Sequence, residues 1–112
     1  MIDRLTDGLE QYMNVIAARQ KLVASNIANA DTPGFKTLDL DFKASLQSAF
    51  GSGAPGTTEV AGLVAKNDGN NVDLDREARL LAENALRFSI ASNLMRSSLQ
   101  QVKEAIQGGK TA

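Results

Sequence analysis

Ala24-Ser25-Asn26-Ile27-Ala28-Asn29-Ala30-Asp31-Thr32-Pro33-Gly34-Phe35-Lys36 is the stretch on which the fold turns, because it ends one long helical pattern and redirects the backbone. Asn29, Asp31 and Thr32 carry side-chain oxygens that compete for backbone hydrogen bonds. Pro33 pushes Thr32 out of the helical region, and Gly34 accepts positive φ. Three kinds of breaker therefore agree on a stop. Asn26 and Asn29 share one face of the last turn, where their amides can reach a backbone, another chain or water.

Working back from the stop, Leu5, Leu9, Tyr12 or Met13, Ile16, Val23, Ile27 and Ala30 step by threes and fours, with Arg19 and Gln20 interrupting the stripe. The spacing predicts an amphipathic helix over about residues 4–30, roughly 40 Å long, capped by Asp3 or Thr6. Ala17, Ala18 and Ala24 leave small faces for the close approach of another helix.

Working forward, residues 31–72 read as an extended, turn-rich middle. Leu38, Leu40 and Phe42 alternate with Thr37, Asp39 and Asp41, which predicts an extended segment with one apolar face. Asp39 and Asp41 project to the other side. No third ligand stands at suitable spacing, so they read as solvated carboxylates rather than as a metal site or an acid–base pair. Residues 44–50 have room for a helical turn or two. Residues 51–58, Gly-Ser-Gly-Ala-Pro-Gly-Thr-Thr, read as a flexible tract with no means of packing, and their glycines precede no phosphate-cradling Lys-Ser or Lys-Thr. Asp68-Gly69 signals a turn leading into a helix cap; as a calcium loop the segment fails, because Val72 occupies a position that needs an oxygen.

The clearest periodicity follows. Leu74, Ala78, Leu81, Ala85, Phe88, Ser92, Met95, Leu99, Val102 and Ile106 step by four and three without a slip, predicting a coiled-coil helix over about residues 73–107. Asp73 suits its N-cap, and Gly108-Gly109 is expected to stop it. The expectation is an all-α fold, a single domain over residues 1–112, whose two long helices pair as an antiparallel coiled coil. Leu9, Ile16 and Val23 are expected to face Leu81, Phe88, Met95, Leu99, Val102 and Ile106 across the seam. A two-helix seam buries too little to offset the ordering of so much chain, so packing against other subunits is expected to couple folding to assembly.

Composition narrows the chemistry. The 112 residues include no Cys and no His, which removes disulfides, thiol nucleophiles, imidazole bases and nearly every common zinc site. No catalytic residue, cofactor or metal is expected. A net charge of −1 without any basic run argues against nucleic acid, and nothing in the chain suggests a small-molecule substrate. Residues 1–7 have neither a basic n-region nor an apolar run, so no cleaved signal peptide is expected.

Residues 24–36 resemble the signature of the flagellar rod, hook and hook-filament-junction family, Ala-Ser-Asn-(Ile/Leu)-Ala-Asn-x-x-Thr-Pro-Gly-(Tyr/Phe)-Lys, almost position for position. Residues 69–77 and 81–88 are similar to the C-terminal half of a proximal rod member, and Leu74 stands where a sister rod protein usually has proline. The resemblance implies a structural component of the bacterial flagellar basal body. Such a protein is exported unfolded by the type III apparatus and joins the proximal rod across the periplasm by helical self-assembly, with its terminal helices lining the inner layer. Implied partners are other copies of itself, other flagellar rod proteins, the rod-base adaptor FliE, and the membrane ring and export apparatus. Ser25, Asn26, Ile27, Asn29, Thr32, Pro33, Gly34 and Phe35 would form the assembly motif, with Asn26 and Asn29 as candidates for bonds between subunits. The competing expectation is a cytosolic or secreted helical-hairpin adaptor forming a stable dimer. The lack of Trp and the long Gly/Ser-containing middle disfavour a small secreted hairpin.

Overall fold

A computed structural model describes residues 2–50 and 56–111. Helix α1 spans Ile2–Ala28, strand β1 Leu38–Leu40, helix α2 Phe42–Phe50, strand β2 Thr57–Glu59 and helix α3 Leu74–Thr111. The long helices α1 and α3 lie antiparallel, giving an elongated molecule of 71 × 27 × 17 Å. No helix among the described residues is long and apolar enough to cross a membrane.

The breakers act as their chemistry requires. After α1, Asn29 N–H donates to the Ser25 carbonyl, Thr32 N–H to Asn29 and Phe35 N–H to Thr32, a run of tight turns that ends with Gly34 at φ +75°. A β-branched side chain strains that conformation by roughly 1–3 kcal/mol. Gly34→Val is therefore expected to lower the melting temperature of the helical signal in circular dichroism, whereas a substitution at exposed Ala28 leaves it nearly unchanged.

At the other end, Asp73 Oδ1 accepts the N–H groups of Asp75 and Arg76, the N-cap that the sequence offers. Gly108 and Gly109 do not stop α3, which continues to Thr111. Glycine weakens a helix by only about 1 kcal/mol, too little to end one that is otherwise favourable.

The middle is more structured than its composition suggests. Strands β1 and β2 pair antiparallel, with Leu38, Asp39 and Leu40 opposite Glu59, Thr58 and Thr57. Thr57 and Thr58 thus pack through their backbones although their tract reads as flexible; residues 51–55 of that tract lie outside the described residues. Asp41 caps α2 by accepting Ala44 N–H at 3.2 Å. Phe42, in the alternating stretch, instead opens α2. Its ring meets Tyr12 edge-on with centroids 5.9 Å apart and sits 5.7 Å from the Arg19 guanidinium and 5.5 Å from that of Arg87. This one aromatic fastens α2 to both long helices.

The seam differs from the expected one on the α3 side. On α1, Ile16 and Val23 are buried and Leu9 is half-buried. The buried line of α3 is Glu77, Asn84, Ala91 and Ser98, a heptad series of polar and small residues. Leu81, Phe88, Leu99 and Ile106 are exposed, and Met95 and Val102 are half-buried. Periodicity finds an apolar stripe but does not say what covers it. Here the strongest stripe is rotated roughly 40–60° away from α1, because hydrogen-bonded polar pairs occupy the facing positions.

Candidate functional site

The breaker motif after α1 and the turn that precedes α3 are fastened together. Gly34 N–H donates to the Asp68 carbonyl at 2.9 Å, and Asn71 N–H to that of Phe35 at 3.2 Å. Asn70 is fully buried: its Nδ2 donates to the carbonyls of Asn29 and Thr32, both at 2.8 Å, and its Oδ1 accepts Val72 N–H. Asn71 Oδ1 accepts both the N–H and the hydroxyl of Thr37. Gly69, at φ +86°, lies where an added Cβ would stand 3.5 Å from Gly34 Cα, so glycine faces glycine at the crossing. Residues 66–71 therefore form a clasp that closes onto the end of α1, and Asp68-Gly69 supplies its turn. Lys36 and Lys66 add bonds to the carbonyls of Gly69 and Ala30.

Behind the clasp lies a buried charge cluster. Asp39 is joined bidentately by Arg19, at 3.0 and 2.9 Å, and is bonded by Arg76. Arg76 also reaches Glu77, which is fully buried and accepts Asn26 Nδ2. Two guanidinium groups face two carboxylates, so the cluster balances its charge while tying α1, β1 and α3 at one point. Asp39 is thus not the solvated carboxylate that strand alternation implies. Burial alone would raise its pKa. The hydrogen bonds from Arg19 and the Leu40 N–H, the Arg19 charge and the Arg76 bond outweigh that and hold the carboxyl below its ordinary 3.8.

A lowered folded pKa gives stability that is present above the unfolded carboxylate range and is lost as pH falls through the folded value. Melting temperature is therefore expected to vary little between about pH 5 and 7 and to drop below about pH 4, as Asp39 protonates. An increase in melting temperature on acidification through that range would contradict the assignment.

The motif residues fall into distinct roles. Asn26, 1% exposed, spends its amide within the chain: Nδ2 donates to Leu38 O and Glu77, and Oδ1 accepts Leu38 N–H. Within one subunit, therefore, the Asn26 amide is already engaged. Asn29 is likewise engaged locally, donating to Ser25 O and accepting from the Thr32 hydroxyl. Ser25, Ile27, Thr32, Pro33 and Gly34 are exposed, and Phe35 is half-buried. Sequence reading missed Arg19, Asp39, Arg76 and Glu77 as a unit. The available signal was Arg19 and Gln20 interrupting an apolar stripe, since a polar residue on a buried face requires a partner.

The apolar surface that α3 keeps away from α1 forms two grooves. One, of about 830 Å³, is lined by Leu5, Leu9, Leu46, Leu86, Ile90 and Leu94 among others. The second, of about 530 Å³ on the opposite flank, includes Ile16, Ala17, Ala24, Ala85 and Phe88. Leu86, Ile90 and Leu94 are 62%, 52% and 53% exposed. These large apolar side chains, one helical turn apart, form a contiguous exposed apolar patch. Leu5 is level with Ile90 and Leu94 in the first groove, so the last turns of α3 run past the start of α1.

Comparison with known proteins matches the sequence to flagellar rod proteins. The family described as "Flagella basal body rod protein" matches residues 13–36, from the middle of α1 through the breaker motif. The chain is similar to the flagellar basal body rod protein FlgB of Salmonella typhimurium, 31% identical over 137 aligned positions that cover 97% of this chain and 99% of that protein. It is also similar to FlgB of Aeromonas hydrophila, 33% identical with 90% of this chain and 92% of that protein covered. Against FlgB of Borrelia hermsii it is 30% identical, with 90% and 94% covered. The 137 aligned positions exceed the 112 residues of this chain, so the Salmonella protein carries sequence that this one lacks. With the breaker motif, the long paired helices and full-length similarity in agreement, the chain belongs to the flagellar basal body rod protein family of FlgB.

Proposed function

We propose that this chain is a structural subunit of the flagellar rod that joins the proximal part of the drive shaft by helical self-assembly, and that it has no catalytic role. The observation that carries the proposal is the inverted character of α3, which turns polar and small residues toward α1 and leaves Leu86, Ile90 and Leu94 on one flank and Leu81 and Phe88 on the other facing outward. A helix with apolar flanks on both sides is suited to a wall in which each subunit has neighbours on both sides. The expected seam residues Leu99 and Ile106 lie on the projecting end of α3 and would serve the same contacts.

Its neighbours in this reading are other copies of the chain, other rod proteins, the adaptor FliE, and the membrane ring and export apparatus at the rod base. The location in this reading is the periplasmic span of the basal body, reached by type III export. Ser25 and Ile27, exposed on the last turn of α1, and Thr32 and Pro33, exposed in the turn after it, would contribute contacts between subunits, while Asn26, Asn29, Gly34 and Phe35 shape that turn.

Deleting the chain from its host is expected to abolish motility, and restoring an epitope-tagged copy should return motility and place the tag in purified basal bodies. Motile deletion cells, or a tagged copy that restores motility yet stays out of the basal body, would reject the proposal. Sedimentation of the isolated chain addresses the adaptor alternative, which requires a stable discrete dimer at micromolar concentration.

A further inference from the structure

The facing positions of α1 and α3 hold side chains that apolar packing would not select. Beyond the charge cluster at the first turn of α3, direct polar pairing between the two helices continues through Gln20 with Asn84 and Tyr12 with Arg87. Asn84 is 1% exposed; its Nδ2 donates to Gln20 Oε1 at 3.0 Å, and its Oδ1 is buried with no hydrogen-bond partner. Two leucines would fill the same seam without orphaning an acceptor. A buried amide in a helical seam is best known for fixing how helices meet, because alternative pairings leave it against apolar atoms.

The alternative pairing is visible in the same helix. Turning α3 by roughly 40–60° about its axis would set Leu81, Ala85 and Phe88, part of its most regular apolar heptad, against Ile16 and Val23. That arrangement would close the second groove and spend on the chain itself the stripe that now faces outward. A continuous helix turns as one body, so its rotation is held jointly by the charge cluster at the first turn of α3 and by the Gln20–Asn84 pair two turns further along.

We propose that Gln20 and Asn84 are positioning residues for assembly: their hydrogen-bonded pair, with Asn84 buried, locks the rotation of α3 so that its apolar stripe stays turned toward neighbouring subunits. The assembly half of this inference rests on the subunit role proposed above; the rotational half does not, and the two are measured separately.

The chain contains no cysteine, so Ala85→Cys, at an exposed position in the second groove, supplies a single reporter thiol. Maleimide labelling is compared among three backgrounds: the native pair, Gln20→Leu with Asn84→Leu, and the exchanged pair Gln20→Asn with Asn84→Gln. The leucine pair is expected to retain helicity and melting temperature, to label at least about tenfold more slowly, and to fail to restore motility. The exchanged pair keeps a hydrogen bond at the seam and should label and function like the native one. Loss of helicity with the leucine pair would show an ordinary stabilising contact and overturn the lock. Unchanged labelling, or an exchanged pair that behaves like the leucine pair, would also overturn it. Slowed labelling with motility intact would refute the assembly role alone. Failure of the native chain to enter basal bodies would instead count against the rod reading.

Discussion

Asp39→Ala is expected to be the most destabilising single substitution in the chain, costing roughly 3–5 kcal/mol, because it leaves Arg19 and Arg76 largely buried without their shared carboxylate. In a domain of this size each kcal/mol shifts the melting temperature by about 4–8 °C, so the isolated chain should lose most of its cooperative helical transition. Two further observations sharpen the expectation. The Asp39 carboxylate also accepts the Leu40 N–H at 2.7 Å, and Glu77 beside it has no exposed surface with which to recruit water. Removing Arg19 in the same chain should recover part of the loss, since an unpaired buried charge then disappears. A melting curve for Asp39→Ala within a few degrees of wild type would show that the cluster is not what joins α1, β1 and α3.

Leu86→Glu combined with Ile90→Glu is expected to have the opposite profile: little change in folding and complete loss of assembly. Both side chains are more than half exposed, so the free chain gains solvated charge where it buried little, an effect usually within about 0.5 kcal/mol per site. In a packed wall the same carboxylates would have to be desolvated among apolar neighbours, which costs several kcal/mol per charge and recurs at every subunit. Circular dichroism should therefore match wild type, while motility and recovery in basal bodies fall to background. Normal incorporation of this variant would mean that the first groove faces solvent in the rod.

Much of the fold is legible in the sequence because its signals are local. The end of α1 is written in adjacent breakers, Asp73 stands where a cap is needed, and the two helical periodicities are long. The site is less legible because its partners are distant in the chain. Alternation places Asp39 on the far side of a strand and cannot see Arg19, twenty residues before it, or Arg76, thirty-seven after it. The same limit applies to α3, where the best apolar heptad, through Leu81 and Phe88, reads as the seam, yet the chain places Asn84 and Ala91 there instead. Asn70 and Asn71 directly follow the Asp68-Gly69 turn signal, and their amides bond the end of α1 and the entry to β1, partners that local sequence cannot name. In each case side-chain type was plain and the third dimension supplied the partner.

The most direct measurement is a reconstruction of an assembled rod containing this chain. Leu86, Ile90 and Leu94 are expected within about 4.5 Å of apolar side chains on adjacent subunits, with Gln20 and Asn84 still paired inside each one. Finding those three side chains open to solvent, or turned inward onto α1 of their own chain, would contradict the assembly surface described above.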